Sequence, residues 1–248
     1  MRRIYLDPAD CEKKHNDISI TGHSFHYLSN VLRIKDDDVF SGFDGSGNEY
    51  KILVKQVTRT TILGDILQTE TVAEIEPSFN IHLFQSVSKG NKMDKIIGEV
   101  AQLGVRKIYP VISNRVIPKI TEKNILHKKG RWQRIAVESS KIAGRTVVLG
   151  IENPMDFTKA VEADADIKLL FWEKSSLSLK DVIQNLPELE QEATINVFIG
   201  PEGGYTDEEA ALAEKSGIIN VSMGKRIFKV ETASVIAVAL IVYELENR

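Results

Sequence analysis

The chain has 248 residues, 42% of them apolar and 27% charged, with a formal net charge of −3 and a single cysteine. That length suits one large or two small domains with a sizeable core, and no apolar run reaches the roughly 18 residues that span a bilayer. Cys11 alone excludes an internal disulfide and an all-cysteine metal site, and the opening Met-Arg-Arg-Ile-Tyr-Leu-Asp-Pro lacks the apolar core of a signal peptide, so a cytoplasmic protein is expected.

In chain order, residues 18–21 alternate weakly, as a short strand does. Residues 23–33 place Phe25, Leu28, Val31 and Leu32 on one helical face. Asp44-Gly45-Ser46-Gly47-Asn48 is a turn between strands at 38–43 and 49–57, and 59–67 continues the β pattern. These elements predict a small, mostly β domain over residues 1–72. Around Pro77 the grammar changes. Strands at 81–87, 107–112, 167–172, 194–199 and 218–223 alternate with helices at 92–103, 124–143, 179–186, 207–215 and 232–245. The long basic helix has a candidate break at Gly130 and an apolar face of Trp132, Ile135, Ala136 and Ile142. Near-continuous apolar strands alternating with helices predict an α/β domain over 73–248, its parallel sheet covered on both faces. Ligands of such sheets bind beyond the C-terminal strand ends.

Charge is unevenly placed. Residues 86–145 carry a net +10 and residues 152–192 a net −6. The basic block suggests a face for a polyanion, or else solvated helix faces whose charges intermix after folding. No P-loop, dinucleotide fingerprint or G-x-S-x-G elbow is present. The five histidines have no metal-ligand spacing beyond His23-x-x-His26, and no metal is expected.

Three stretches remain, each at a predicted strand end: Phe171-Trp172-Glu173, Gly200-Pro201-Glu202-Gly203-Gly204, and residues 223–233. Neighbouring C-terminal loops would gather into one pocket, where glycine-rich backbone can read an adenine or a ribose. A tight strand-to-helix turn also uses glycine, and Thr206 with Glu209 forms a capping box for the next helix. Capping does not account for Pro201-Glu202-Gly203-Gly204.

Ile199-Gly-Pro-Glu-Gly-Gly-Tyr, followed by Met223-Gly-x-x-Ile-Phe-Lys-Val-Glu-Thr-Ala, resembles the closing motifs of the RsmE family, ribosomal RNA uracil-N3 methyltransferases of the SPOUT superfamily. His26-Tyr-Leu-Ser-Asn-Val-Leu-Arg33, Lys89-Gly-Asn-Lys-Met-Asp, Ala101-Gln-Leu-Gly-Val105 and Arg131-Trp132 with Ala143-Gly-Arg145 match the family's earlier signatures in order. The chain departs from the family at Gln102, Ile142 and Lys229. The resemblance implies a PUA-like β-barrel, then a SPOUT-type parallel-sheet domain with a C-terminal trefoil knot. It also implies S-adenosyl-L-methionine (SAM) as methyl donor, 16S ribosomal RNA as substrate and a homodimer. Other readings are a SPOUT enzyme acting on another base or a ribose 2′-hydroxyl, and a non-catalytic RNA-binding protein.

On that basis Phe171, Glu173, Ile199, Gly200, Pro201, Gly203, Gly204, Met223, Gly224, Ile227, Phe228, Thr232 and Ala233 are expected to hold the cofactor. Arg226, Glu231 and Glu202 are the catalytic candidates, since an imide nitrogen must lose its proton to a base. Glu231 has the alternative of favouring a helix N-terminus, and Arg226 and Arg145 that of surface ion pairs. Arg33, Lys89, Lys92, Arg115, Arg131 and Arg145 are expected to contact RNA, whereas His26, Tyr27 and Leu32 are expected in the barrel core.

Overall fold

Period-two patterning before residue 72 and strand–helix alternation after residue 79 build two separate sheets. The structure, a computed structural model, describes residues 3–72, 75–116 and 122–247, the side chains of 122–126 excepted. The chain divides into two compact units. The first is Met1–Glu76 together with Ser140–Val148, and the second is Pro77–Ser139 with Leu149–Arg248. The boundary expected between residues 72 and 73 abuts residues 73–74, which lie outside the described residues, and the return of Ser140–Val148 to the first unit has no counterpart in the sequence reading.

The first unit is a six-stranded sheet of β1 (Arg3–Tyr5), β2 (Cys11–Lys14), β3 (Asp17–Ile20), β4 (Val39–Phe43), β5 (Asn48–Val57) and β6 (Ile62–Thr71), ordered β1-β4-β5-β6-β3-β2. Only β1 and β4 are parallel. Ile18, Ile20, Phe40, Ile52, Val54 and Ile62 fill its core. The helical stretch behaves differently from a simple amphipathic face. It begins as α1 (Gly22–His26) and continues as a π-type turn over Tyr27–Val31, where Leu32 N–H donates to the carbonyl of Tyr27. Wider winding rotates later side chains out of phase. Phe25 and Leu28 are therefore buried, Tyr27 and Leu32 are partly buried against the core, and Val31 and His26 are exposed.

The segment Ser140–Val148 is bound into this unit. Thr146 Oγ1 donates to Gly47 O at 3.1 Å. Arg145 is only 2% exposed, and its Nη2 and Nε lie 2.7 and 3.0 Å from Glu76 Oε2. Arg145, expected at an RNA surface, is thus a buried ion-pair partner.

The second unit is a parallel sheet. It comprises β7 (Asn80–Ser86), β8 (Val105–Ile112), β9 (Gly150–Ile151), β10 (Met155–Asp156), β11 (Ile167–Phe171), β12 (Thr194–Ile199) and β13 (Ile219–Val221). The order is β10-β8-β7-β12-β11-β13, with β9 also paired to β8. Its helices are α2 (Lys92–Gln102), α3 (Glu122–Ile142), α4 (Phe157–Ala160), α5 (Leu179–Gln184), α6 (Asp207–Lys215) and α7 (Val230–Glu246). Alternate strand residues face opposite sides. Leu83, Leu169 and Val197 pack with residues of α2, α3, α5 and α7, while Phe84, Leu170 and Phe198 pack with residues of α4 and α6. The helix α3 runs through Gly130 without a break, and a Cβ there would meet open space. Trp132 and Ala136 are buried as expected, but Ile142 is 76% exposed. Among the described residues no helix is long and apolar enough to cross a membrane, and no His, Cys, Asp or Glu group could hold a metal.

Replacing Glu76 with Ala leaves the buried Arg145 guanidinium without this partner. The expected loss is about 3–5 kcal/mol of stability, read as a lowered urea midpoint. A surface-like loss below about 1 kcal/mol would contradict the burial argument.

Candidate active site

The site begins with strand register. Phe171, the last residue of β11, pairs with Ile199 at the end of β12 on one side and with Val221 at the end of β13 on the other. Three adjacent strands therefore release their loops from one level. The loops enclose a cavity of about 830 Å³, within the roughly 300–1,000 Å³ of small-molecule sites.

The cavity brings together Phe171, Glu173, Ile199, Gly200, Pro201, Gly203, Gly204, Met223, Gly224, Ile227, Phe228 and Ala233, with Glu202, Arg226, Glu231 and Lys92 beside them. Thr232 is exposed and does not line it, although its neighbours on α7 do. Ile227 lines the cavity with 85% of its surface open. Trp172, Ser222, Lys225, Lys229 and Val230 also line it; all but Ser222 fall in the three stretches read from the sequence, though none was named as a cofactor contact. Their membership follows from the path of the backbone between motif positions.

The loop after β12 is built by its glycines. Gly204 N–H donates to Pro201 O at 2.9 Å, closing a turn. Gly204 has φ of +67°, and a Cβ on it would sit 3.0 Å from Glu173 Oε1, so both backbone conformation and space select glycine. Thr206 and Glu209 form the expected capping box of α6. Glu209 does more: its Oε1 accepts from Asn114 N–H at 2.8 Å, tying the loop after β8 to the same turn.

The two cavity glutamates differ in environment. Glu202 Oε1 accepts from Lys92 Nζ at 2.9 Å and from the Lys89 backbone N–H at 3.1 Å. Burial alone would raise its carboxyl, but the Lys92 hydrogen bond and backbone donors outweigh this and hold it below the usual range. The same bond raises Lys92. Glu231, in the first turn of α7, has a buried Oε2 with no hydrogen-bond partner. Buried acceptors are normally satisfied, and this oxygen is an exception. The Ser234 hydroxyl, with one proton to donate, lies 2.5 Å from Gln85 Oε1 and 2.8 Å from Val230 O, setting the start of α7 against β7.

The other cations expected to contact RNA differ in their surroundings. Arg131 is paired with Asp94 at 2.6 Å while its side chain remains 58% exposed. Arg33 and Lys89 have exposed side chains. Arg115 Nη1 donates to Gly203 O at 2.6 Å. A second, smaller groove of about 360 Å³ lies over β3 and β6. Lys55, which lines it, is engaged by Asp17 and Asp65, and Lys14 by Glu12.

Comparison with known proteins agrees with this geometry. Residues 75–242 match the family model of an RNA methyltransferase domain, and residues 20–67 match that of an RNA methyltransferase PUA domain. The chain is 31% identical over 237 residues to the ribosomal RNA small subunit methyltransferase E of Synechocystis, covering 93% of this chain and 74% of that protein. Against the Aquifex aeolicus protein of the same name identity is 31%, over 85% of this chain and 88% of that one. It resembles the solved ribosomal RNA small subunit methyltransferase E of Neisseria gonorrhoeae bound to SAM at 27% identity and a TM-score of 0.79, covering 97% and 96% of the two chains. A putative methyltransferase of Legionella pneumophila in complex with SAM gives 26% identity and a TM-score of 0.81, over 96% of each chain.

The Glu202–Lys92 contact has a defined pH range. A depressed carboxyl contributes stability above its ordinary value of 4.5 and loses it only as pH falls through a lower folded value. An NMR titration of the Glu202 side-chain carbon should therefore have its midpoint below 4.5; a midpoint at or above that value would exclude the contact.

Proposed function

This chain belongs to the RNA methyltransferase family, and from that premise we propose that it is a SAM-dependent enzyme methylating N3 of a uridine in 16S ribosomal RNA. The observation that carries this reading is the cavity at the shared end of β11, β12 and β13, walled by residues 199–204 and 223–231, Glu231 among them. The residues fit the cofactor: the wall offers glycine backbone beside apolar Phe171, Ile199 and Met223, an arrangement suited to an adenosyl group, and its volume suffices. Backbone groups of Ile199, Gly200, Gly203, Met223 and Phe228 would hold it. When bound, SAM supplies a methyl group made electrophilic by its sulfonium.

The chain's own groups then divide the remaining work. The Glu231 carboxylate, which lines the cavity, takes the proton from uracil N3, leaving the nitrogen lone pair free to accept the methyl group. Glu202, engaged by Lys92 and Lys89, shapes the loop and is a poor proton acceptor. Arg226, exposed at the rim, holds a phosphate or a uracil oxygen. Because N3 lies on the Watson–Crick edge, the nucleotide enters unstacked. Arg33, Lys89 and Arg131 serve as positioning contacts to the phosphates, as such contacts carry register rather than sequence. The C-terminal trefoil knot implied by the family belongs to this reading.

A homodimer belongs to it as well. A helix apolar on all sides is normally buried, yet α7 leaves Leu240 38% and Tyr243 65% exposed. A second copy of this chain covers that face.

Calorimetric titration should detect SAM binding, and ribosomal RNA from a strain lacking the gene should lose a methyluridine by mass spectrometry. Glu231→Gln should lower kcat by about 10²-fold or more with little change in SAM affinity; an unchanged kcat removes Glu231 as the base. Leu240→Glu should halve the mass measured by light scattering, and a monomeric wild type would refute the dimer.

A further inference from the structure

The basic block of the sequence suggests Arg115 as an RNA contact, but its surroundings describe another task. Its Nη1 lies 2.6 Å from the carbonyl oxygen of Gly203. Its aliphatic stem covers the same residue: a Cβ built on Gly203 would meet Arg115 Cδ at 3.2 Å and Cβ at 3.3 Å. Arg115 does not line the cavity, whereas Gly203 does. The neighbouring Asn114 N–H donates to Glu209 Oε1 at 2.8 Å, so the segment after β8 grips the loop and the cap of α6 at two successive residues. From the segment after β7, Lys89 N–H and Lys92 Nζ hold Glu202 at 3.1 and 2.9 Å. Residues 202 and 203 are thus anchored by side chains or backbone of two different strand exits.

Resting on the methyl-donor reading above, we infer that Arg115 is a positioning residue: it acts through Gly203 to set the loop that walls the SAM cavity, rather than by holding RNA. A guanidinium bond to a carbonyl is charge-assisted and directional. It fixes a turn that has two glycines and would otherwise lose much freedom on binding. The absence of a side chain on Gly203 is part of the device, because any Cβ would press on the arginine stem.

The test uses the full-length protein. Arg115→Ala should weaken SAM binding by about tenfold in calorimetry. In the absence of SAM it should speed amide exchange of residues 202–204. The salt dependence of RNA binding should stay as in the wild type. Arg115→Lys, which keeps one donor, should fall between the two and guards against a folding defect in the alanine variant. Gly203→Ala should weaken SAM binding in the wild type and add little in the Arg115→Ala background, since both changes act on one contact. If Arg115→Ala instead leaves SAM affinity unchanged and flattens the salt slope by about 0.7, the inference is overturned and the arginine is a phosphate contact. Unchanged SAM affinity with an unchanged slope also overturns it. A wild-type chain that binds no SAM overturns the methyl-donor reading itself, and this inference with it.

Discussion

Everything at the cavity depends on one line across the parallel sheet, where Phe171, Ile199 and Val221 stand side by side. In a parallel sheet the strands point the same way, so ends in register put three exits at one height. A slip of one residue would reverse the faces of a whole strand. It would move Phe198 from the α4–α6 side to the other, and it would also displace the 200–204 loop from Glu173. The aromatic stack of Phe84 on Tyr109 and Phe198, with centroids 4.5 Å apart in both pairs, resists such a slip from below. Core packing and site geometry are therefore one constraint.

The same edge gives two chemically identical side chains different surroundings. Glu202 has donors from Lys92 and Lys89, and its negative charge is already engaged. Glu231 has a buried oxygen facing no donor. Two carboxylates in one cavity thus have unlike surroundings because their neighbours differ. The buried Gln85–Ser234 bond keeps this division stable by holding the helix that carries Glu231.

How much of this was legible varied with how local the cause was. Strand Thr194–Ile199 and helix Asp207–Lys215 match the sequence expectation to the residue, because a mainly apolar run, a Gly-Pro stop and a T-x-x-E cap all act within a few positions. The cavity loops were legible for the same reason. The face of residues 23–33 was misread at Val31, since a π-type turn has no composition signal that separates it from an α-turn. The exposure of Ile142 and the burial of Arg145 both follow from the chain changing units near residue 140, a long-range choice invisible to periodicity. The Lys92–Glu202 bond spans 110 positions and no spacing rule reaches it.

That change of units has a consequence for the order in which the protein is made. The first unit contains Ser140–Val148 as well as Met1–Glu76, so its six strands are all synthesised long before its last piece. Domains generally fold as units, and N-terminal ones first during synthesis. Here the leading unit lacks the Arg145 partner of Glu76 and the Thr146 carbonyl that accepts from Gly47 N–H until residues 140–148 have left the ribosome, by which point the first strands of the second unit are already present. The two units are interleaved along the chain and therefore in time, and a nascent chain of this protein passes through a stage in which neither is complete.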